Sequence, residues 1–211
     1  MSLRRVAPLS GIVFVVLTVV AFVVLGGNTP GIKDSANKIA SFYTAHHTRQ
    51  ETAGHLLAIA VAFLAIFAAS CWPLIRDARR LWSALFFGGG LIAAAGFLVA
   101  AGIHIALADG ANHHLDPVAL QALNALDSDD YVAFTAGLGI MLLGAAGAMI
   151  PQTDALRWLG WIALVFGIAI FTPAGFIAFL GTAVWIIVVS AMLFLRSDDG
   201  APHAAPPGTA S

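Results

Sequence analysis

The chain has 211 residues, of which 60% are hydrophobic and 10% are charged, and its formal net charge is −1 at pH 7. Soluble proteins carry about 25% charged residues, so this composition excludes an ordinary soluble globule, and the near-zero charge does not favour nucleic acid as a partner. The one cysteine, Cys71, excludes an intramolecular disulfide. Together these observations indicate a polytopic membrane bundle.

Long apolar runs predict an all-α bundle of six membrane-spanning helices, since one span needs about 20 apolar residues. The predicted spans are 10–27, 53–75, 81–108, 131–150, 156–172 and 175–195. Thr172-Pro173-Ala174-Gly175 interrupts the last apolar stretch and predicts a tight turn there rather than one kinked helix. The bundle is expected over 1–196, and the segment 197–211 is expected to be a disordered cytoplasmic tail.

Basic residues predict the orientation of the spans, because cytoplasmic loops are enriched in Lys and Arg. With the N-terminus inside, the cytoplasmic segments hold Arg4, Arg5, Arg76, Arg79, Arg80, Arg157 and Arg196, and the outer segments hold Lys33, Lys38 and Arg49. Both termini are therefore expected in the cytoplasm, in a multi-pass plasma-membrane protein. An alternative stays open in which residues 1–27 are a cleaved signal peptide, and it would leave five spans.

Two segments between spans predict amphipathic helices at the outer face. The first has Asp34 or Ser35 as its N-cap, and the second has Asp116 as its cap with Pro117 at the first helical position. The expected apolar stripes are Ile32, Ala36, Ile39, Ala40 and Tyr43 in the first, and Leu115, Ala119, Ala122, Leu123 and Leu126 in the second. Both helices are expected to lie on the membrane surface or to cap the bundle.

Histidines concentrate on the predicted outer side. This group comprises His46, His47, His55, His104, His113 and His114, while His203 lies in the tail. His55 and His104 are expected at similar depth, because the second and third spans form an antiparallel hairpin. Two level imidazoles on adjacent helices could ligate a metal or a haem iron. The alternative is that interfacial histidines hydrogen-bond another span or a loop.

A weaker prediction places a divalent cation at His113, His114 and Asp116, although adjacent histidines lack the i,i+4 spacing of a helical zinc motif. Asp127, Asp129 and Asp130 precede the fourth span, where a helix N-terminus favours negative charge. No motif pairs a nucleophile with a base, so no catalytic residue is predicted.

Inside the bundle, small residues predict close helix contacts at Gly96-x-x-x-Ala100 and Gly144-x-x-x-Ala148. The interior below His55 and His104 is almost free of ionisable residues, which argues against an acidic proton relay or a charged filter.

The segment Arg157-Trp158-Leu159-Gly160-Trp161, with Thr172–Phe176 and the Leu120–Leu126 pattern, resembles a group of small, Ala-rich bacterial membrane proteins. These proteins are common in actinobacteria and carry a domain of unknown function. The resemblance implies a six-helix bundle in the plasma membrane and brings no catalytic residues with it.

The expected function is non-enzymatic. It is a plasma-membrane protein that binds a lipid, a small apolar ligand or a protein partner (a second copy included) at its outer face. One alternative is a haem- or metal-binding redox protein that uses His55 and His104, and another is a small transporter or channel.

Overall fold

A computed structural model describes residues 6–76, 78, 80–152 and 154–196, and this part of the chain is helical with no strand. The helices are α1 (Ala7–Gly26), α2 (Ala36–Ser70), α3 (Trp72–Ile75), α4 (Arg80–Asn112), α5 (Pro117–Asp129), α6 (Tyr131–Met149), α7 (Asp154–Ala169) and α8 (Gly175–Arg196). The predicted tail 197–211 with His203, and the arginines Arg4, Arg5 and Arg79, lie outside the described residues.

Five helical segments are long and apolar enough to cross a membrane, and these are α1, α2, α4, α5 together with α6, and α8. Their outer surfaces carry large apolar side chains such as Leu91 and Phe176, each 73% exposed. Such a surface suits lipid rather than water. Helix α7 is apolar but has only 16 residues, a length of about 24 Å against a hydrocarbon core of about 30 Å. The prediction of an all-helical membrane bundle is confirmed, with five candidate spans rather than six.

The second predicted span, 53–75, has different bounds in the structure. Helix α2 begins at Ala36, runs for 35 residues with a local departure from helical geometry at His46, and ends at Ser70. Its N-cap is Ser35, one of the two predicted candidates, and the Ser35 side chain accepts a hydrogen bond from the Lys38 N–H at 3.4 Å. A kink at His46 (φ −120°, ψ 17°) divides this range, so the amphipathic segment and the span follow each other without a loop but are two helical stretches, 36–45 and 47–70. Pro73 then separates α2 from α3, because its ring disfavours helix in the preceding turn.

Helices α4 and α6 pack against each other through glycines. A Cβ at Gly89 or Gly96 of α4 would collide with the backbone of α6, and a Cβ at Gly137 or Gly144 of α6 would collide with the backbone of α4. Gly96 and Gly144 were predicted as contact positions, and this is confirmed. The absence of side chains lets the two backbones approach closely, as is common in membrane bundles.

The turn predicted at Thr172–Gly175 is confirmed. Helix α7 ends at Ala169, the Thr172 hydroxyl donates to the Ala169 carbonyl at 2.7 Å, and α8 begins at Gly175. The side chain of Phe171 reaches Gly139, which lies near the middle of α6. The turn therefore lies beside the middle of α6, consistent with the short length of α7.

A second, smaller core lies at the end of the bundle where α2 begins and α4 ends. It contains Ile39, Tyr43, Leu107, Ala111 and Leu120. We call this the histidine-bearing end, because it carries His46, His47, His55, His104, His113 and His114. Of the apolar stripe predicted for the first amphipathic segment, Ile39 and Tyr43 are fully buried, whereas Ile32 precedes α2 and is exposed.

Helix α5 begins as predicted, since Asp116 caps it by accepting from the Val118 N–H at 2.7 Å. Two members of its predicted apolar stripe, Leu115 and Leu126, are 50% and 53% exposed. The buried face instead carries Leu120 and Asn124, both 1% exposed. This face is selected by hydrogen bonds: the Tyr43 hydroxyl donates to Asn124 Oδ1, and Asn124 Nδ2 donates to the Pro30 carbonyl, each at 3.1 Å.

Candidate functional site: a cavity at the histidine-bearing end

Helix α1 ends in wider, π-type turns over Val20–Gly26, and side chains of α2 bind the carbonyls there. Arg49 Nε donates to the Leu25 carbonyl at 2.6 Å, and Arg49 Nη2 donates to the Val24 carbonyl at 2.9 Å. The last carbonyls of a helix lack partners within the helix and carry partial negative charge. The guanidinium therefore caps α1 and ties it to α2.

The next residue of α2, Gln50, is fully buried and connects α1 to α4. Its amide nitrogen donates to the Gly26 carbonyl at 3.0 Å, and its Oε1 lies 2.7 Å from His104 Nε2. The amide orientation is fixed, because the opposite orientation would place Oε1 against a carbonyl oxygen. His104 Nε2 must therefore carry a proton and donate it to Gln50.

On its other side His104 contacts Asp127 of α5, with 3.1 Å between Nδ1 and Oδ1. Because Nε2 already carries a proton, this contact holds a single proton in one of two forms. Either an imidazolium donates to a carboxylate, or a carboxylic acid donates to a neutral imidazole. In both forms the pair is electrically neutral as a whole. The side chains of His104 and Asp127 are only 12% and 16% exposed.

A cavity of about 220 Å³ lies beside this network, between α1, α2, α4 and the junction of α5 with α6. Its polar lining includes His104, Asp127 and Asp130, and its apolar lining includes Phe22 and Phe134. No Lys or Arg is among the described residues that line it. A concave apolar site with a few convergent polar groups is the usual form of a small-molecule site.

Asp130 occupies the N-cap position of α6, but its side chain makes no capping hydrogen bond. Its Oδ2 is buried and has no hydrogen-bond partner among the described residues. The prediction that this carboxyl caps the helix is therefore wrong. Asp127 also has another role, because it bonds His104. A buried acceptor without a donor costs free energy, so Asp130 stands out as the unsatisfied group of the cavity.

The hairpin register predicted for His55 and His104 agrees with the packing of α2 on α4. Gly54 of α2 lies against Ala101 and Ile105 of α4, and these two residues flank His104 in sequence. The two histidines nevertheless lie in different surroundings. His55 is exposed, and its Nδ1 lies 2.9 Å from the Glu51 carbonyl of its own helix.

The recorded partners of the His104 ring nitrogens are Gln50 and Asp127, and neither is His55. This arrangement does not bring the two imidazoles together, and haem or metal ligation by His55 and His104 stays a prediction.

Within the described residues, no group of three or more His, Cys, Asp or Glu side chains is placed to hold a metal ion. His113, His114 and Asp116 are therefore not assembled as a metal centre. His113 Nδ1 contacts Asp109 Oδ1 at 3.1 Å, and His114 adopts a positive φ of 56° in the turn after α4. Asp116 is engaged in capping α5.

Sequence reasoning selected His104 but missed Gln50 as its partner. The signal was present, because the buried face of α2 carries Leu57, Gly54 and Ala53, and one further turn places Gln50 on the same face. His55 lies one residue beyond Gly54 and so points away from that face. No protein-family model matches the chain, and neither does any curated protein or solved structure compared with it.

Proposed function

We propose that this chain is a non-enzymatic, multi-pass plasma-membrane protein that binds a small ligand with an apolar body in the cavity at its histidine-bearing end. The observation that carries this proposal is the cavity itself, about 220 Å³ in volume, which combines aromatic walls with His104, Asp127 and Asp130. Drug-sized ligands occupy about 300–1,000 Å³, so the expected ligand is smaller.

The packing around the cavity supports binding rather than catalysis. His104 has recorded partners for both ring nitrogens, so neither is poised to take a proton from a substrate. The aromatic wall is braced from behind, since the Phe134 ring stacks on Phe97 with 4.5 Å between centroids. A preformed, braced wall lowers the entropic cost of binding.

The proposed topology has six spans, with both termini in the cytoplasm and the cavity opening outward. It takes α7 as a short sixth span and relies on the excess of arginines at the other end of the bundle. Helix α5 is proposed to rest on the membrane surface, because Leu115, Val118 and Leu126 leave an exposed apolar face beside its buried one. The resemblance to small, Ala-rich bacterial membrane proteins fits this topology and is part of the proposal.

Ligand-induced thermal stabilisation of the purified protein in a nonionic detergent tests the binding proposal. A set of small molecules with one polar group and a ring or short chain is expected to contain ligands that raise the melting midpoint. Ala100→Leu fills the cavity and should abolish the shift, since Ala100 is 4% exposed and lines it. Ala106→Leu adds the same volume at an exposed position and should retain it. No stabilisation by any compound, or equal loss in both variants, would contradict the proposal.

The topology is tested separately by thiol labelling in whole cells. Asp129→Cys at the end of α5 and Arg196→Cys at the end of α8 place single thiols at opposite ends of the bundle, while the native Cys71 is buried. A membrane-impermeant maleimide should label the first variant and spare the second until the cells are opened. The reverse pattern would invert the proposed orientation.

A further inference from the structure

We propose that the ligand of this cavity is a small cationic amine whose ammonium group binds at Asp130, an inference that rests on the ligand-binding function proposed above. Three features of the cavity carry it: the charge balance of its lining, the missing donor at Asp130, and the aromatic walls on the side of α1 and α6.

The charge balance comes from the pairing already described. Asp127 and His104 share one proton and are neutral as a pair, with Gln50 accepting from the remaining imidazole N–H. Within the part of the chain that the structure describes, the lining contains no Lys or Arg that would neutralise the second carboxyl. When ionised, Asp130 is therefore the uncompensated charge of the cavity, and a cation is the complement that it lacks.

The missing donor is seen at Asp130 Oδ2, which is buried without a hydrogen-bond partner among the described residues. An ionised carboxylate only accepts hydrogen bonds, whereas an ammonium group only donates them. A primary amine brings three N–H donors. Asp130 lines the cavity and can accept from one of them, and the hydroxyl oxygens of Ser128 and Thr29 in the same lining are available as further acceptors.

The aromatic walls suit the rest of such a ligand. Phe22 of α1 and Phe134 of α6 lie with ring centroids 6.1 Å apart, and both line the cavity with Leu57 and Ala100. Ring faces attract a nearby cation and also bury an apolar body. An anionic head would face two carboxyl groups with no Lys or Arg among the described lining residues, and a neutral head would not compensate the charge of an ionised Asp130.

A series of three probes with one shape tests the charge preference: benzylamine, benzyl alcohol and benzoate. Their affinities are measured by titration calorimetry of the full chain in nonionic detergent, with empty micelles as the blank. Benzylamine is expected to bind at least tenfold more tightly than the other two. Comparable or tighter binding of benzyl alcohol or benzoate would overturn the amine inference while leaving the ligand-binding function intact. If none of the three probes binds and no compound of the thermal-stabilisation set stabilises the protein, both the amine inference and the ligand-binding function are overturned.

Two variants assign the preference to Asp130. Asp130→Asn should reduce benzylamine affinity at least tenfold and leave benzyl alcohol affinity within about twofold. Asp129→Asn makes the same charge change at the exposed neighbouring residue, and it should keep the preference for the amine. Equal losses in both variants would show only a general electrostatic effect and would refute the assignment. If Asp130→Asn does not fold, Ala100→Leu serves instead, and retained benzylamine binding in that variant would overturn the site.

Discussion

Helices α4 and α6 contact each other through glycine and backbone, whereas at the histidine-bearing end α4 contacts α2 and α5 through hydrogen-bonded side chains. At Gly89 and Gly137 no side chain separates the two helices. At His104 and Asn124 polar groups fill the spaces between helices and tie loops and helices together. In the first region, stability is sensitive to added side-chain volume between the helices. In the second region, it is sensitive to the removal of a hydrogen-bond partner. The variants below are chosen to separate these two kinds of stability.

The largest effect is expected from Gly137→Val, because its Cβ would meet the backbone of α4 at Ala93 and Gly89. Backbone cannot swing aside as a side chain can, so α4 and α6 must separate. We expect a loss of about 3 kcal/mol or more, seen as a lower melting midpoint in detergent. Gly88→Val is the matched control, since no heavy atom lies within 4 Å of a Cβ there. Similar losses in both would mean that the α4–α6 contact is not the cause.

A smaller loss, about 2–3 kcal/mol, is expected for Asn124→Ala, because it leaves both the Pro30 carbonyl and the Tyr43 hydroxyl without a partner. Asn37→Ala in the exposed first turn of α2 provides the control and should change little. Protease accessibility of the segment between α1 and α2 should rise together with the loss of stability. An unchanged cleavage rate in a destabilised Asn124→Ala would argue against this role for the network.

His104→Ala should cost about 1–2 kcal/mol, because Gln50 Oε1 and Asp127 lose their partner but water can enter from the adjoining cavity. His55→Ala should stay within about 0.5 kcal/mol of the native chain, since its side chain is exposed. Equal effects would place the two histidines in equivalent roles. An absorption spectrum with a Soret band, lost in both variants, would restore the haem prediction.

The smallest effect concerns the exposed turn before α2. Lys38 donates to Asp34 Oδ1 at 2.8 Å and the Gly31 N–H donates to Oδ2, and these contacts hold the pKa of Asp34 below its ordinary value. Because the folded-state pKa is depressed, the contribution to stability is present above the unfolded pKa of about 3.9 and is lost as pH falls through the folded one. In Lys38→Met the pKa should move up toward the ordinary value in a carboxyl NMR titration. An unchanged pKa would assign the shift to the Gly31 N–H alone.

Much of the architecture could be predicted because apolar runs, prolines and small residues act locally. The turn at Thr172–Gly175, the Asp116 and Ser35 caps, and the contact glycines Gly96 and Gly144 all follow from such signals. The length of α2 was harder to predict, because its polar first part and its apolar second part differ in composition although both are helical. The two stretches meet at the kink at His46 with no loop between them.

The site was predicted less well, because it depends on which face of a helix points inward. His55 directly follows Gly54, and one step along the helix rotates the side chain by about 100° around the helix axis. In α5 two apolar faces compete, and the face with Asn124 is buried because Tyr43 and Pro30 lie opposite it. Residues distant in sequence supply those partners, so periodicity within α5 alone cannot select the face.

The length of α2 has a mechanical consequence. Its 35 residues follow a path of about 52 Å that bends at His46, against a hydrocarbon core of about 30 Å. The stretch of α2 before the kink at His46 lies beside α5, which is joined to it by the Tyr43–Asn124 hydrogen bond and to α4 by the contact between Asp127 and His104. An antibody fragment raised against α5 would thus be held in fixed register with the spans. It would give this small membrane protein a rigid marker for particle alignment in electron microscopy.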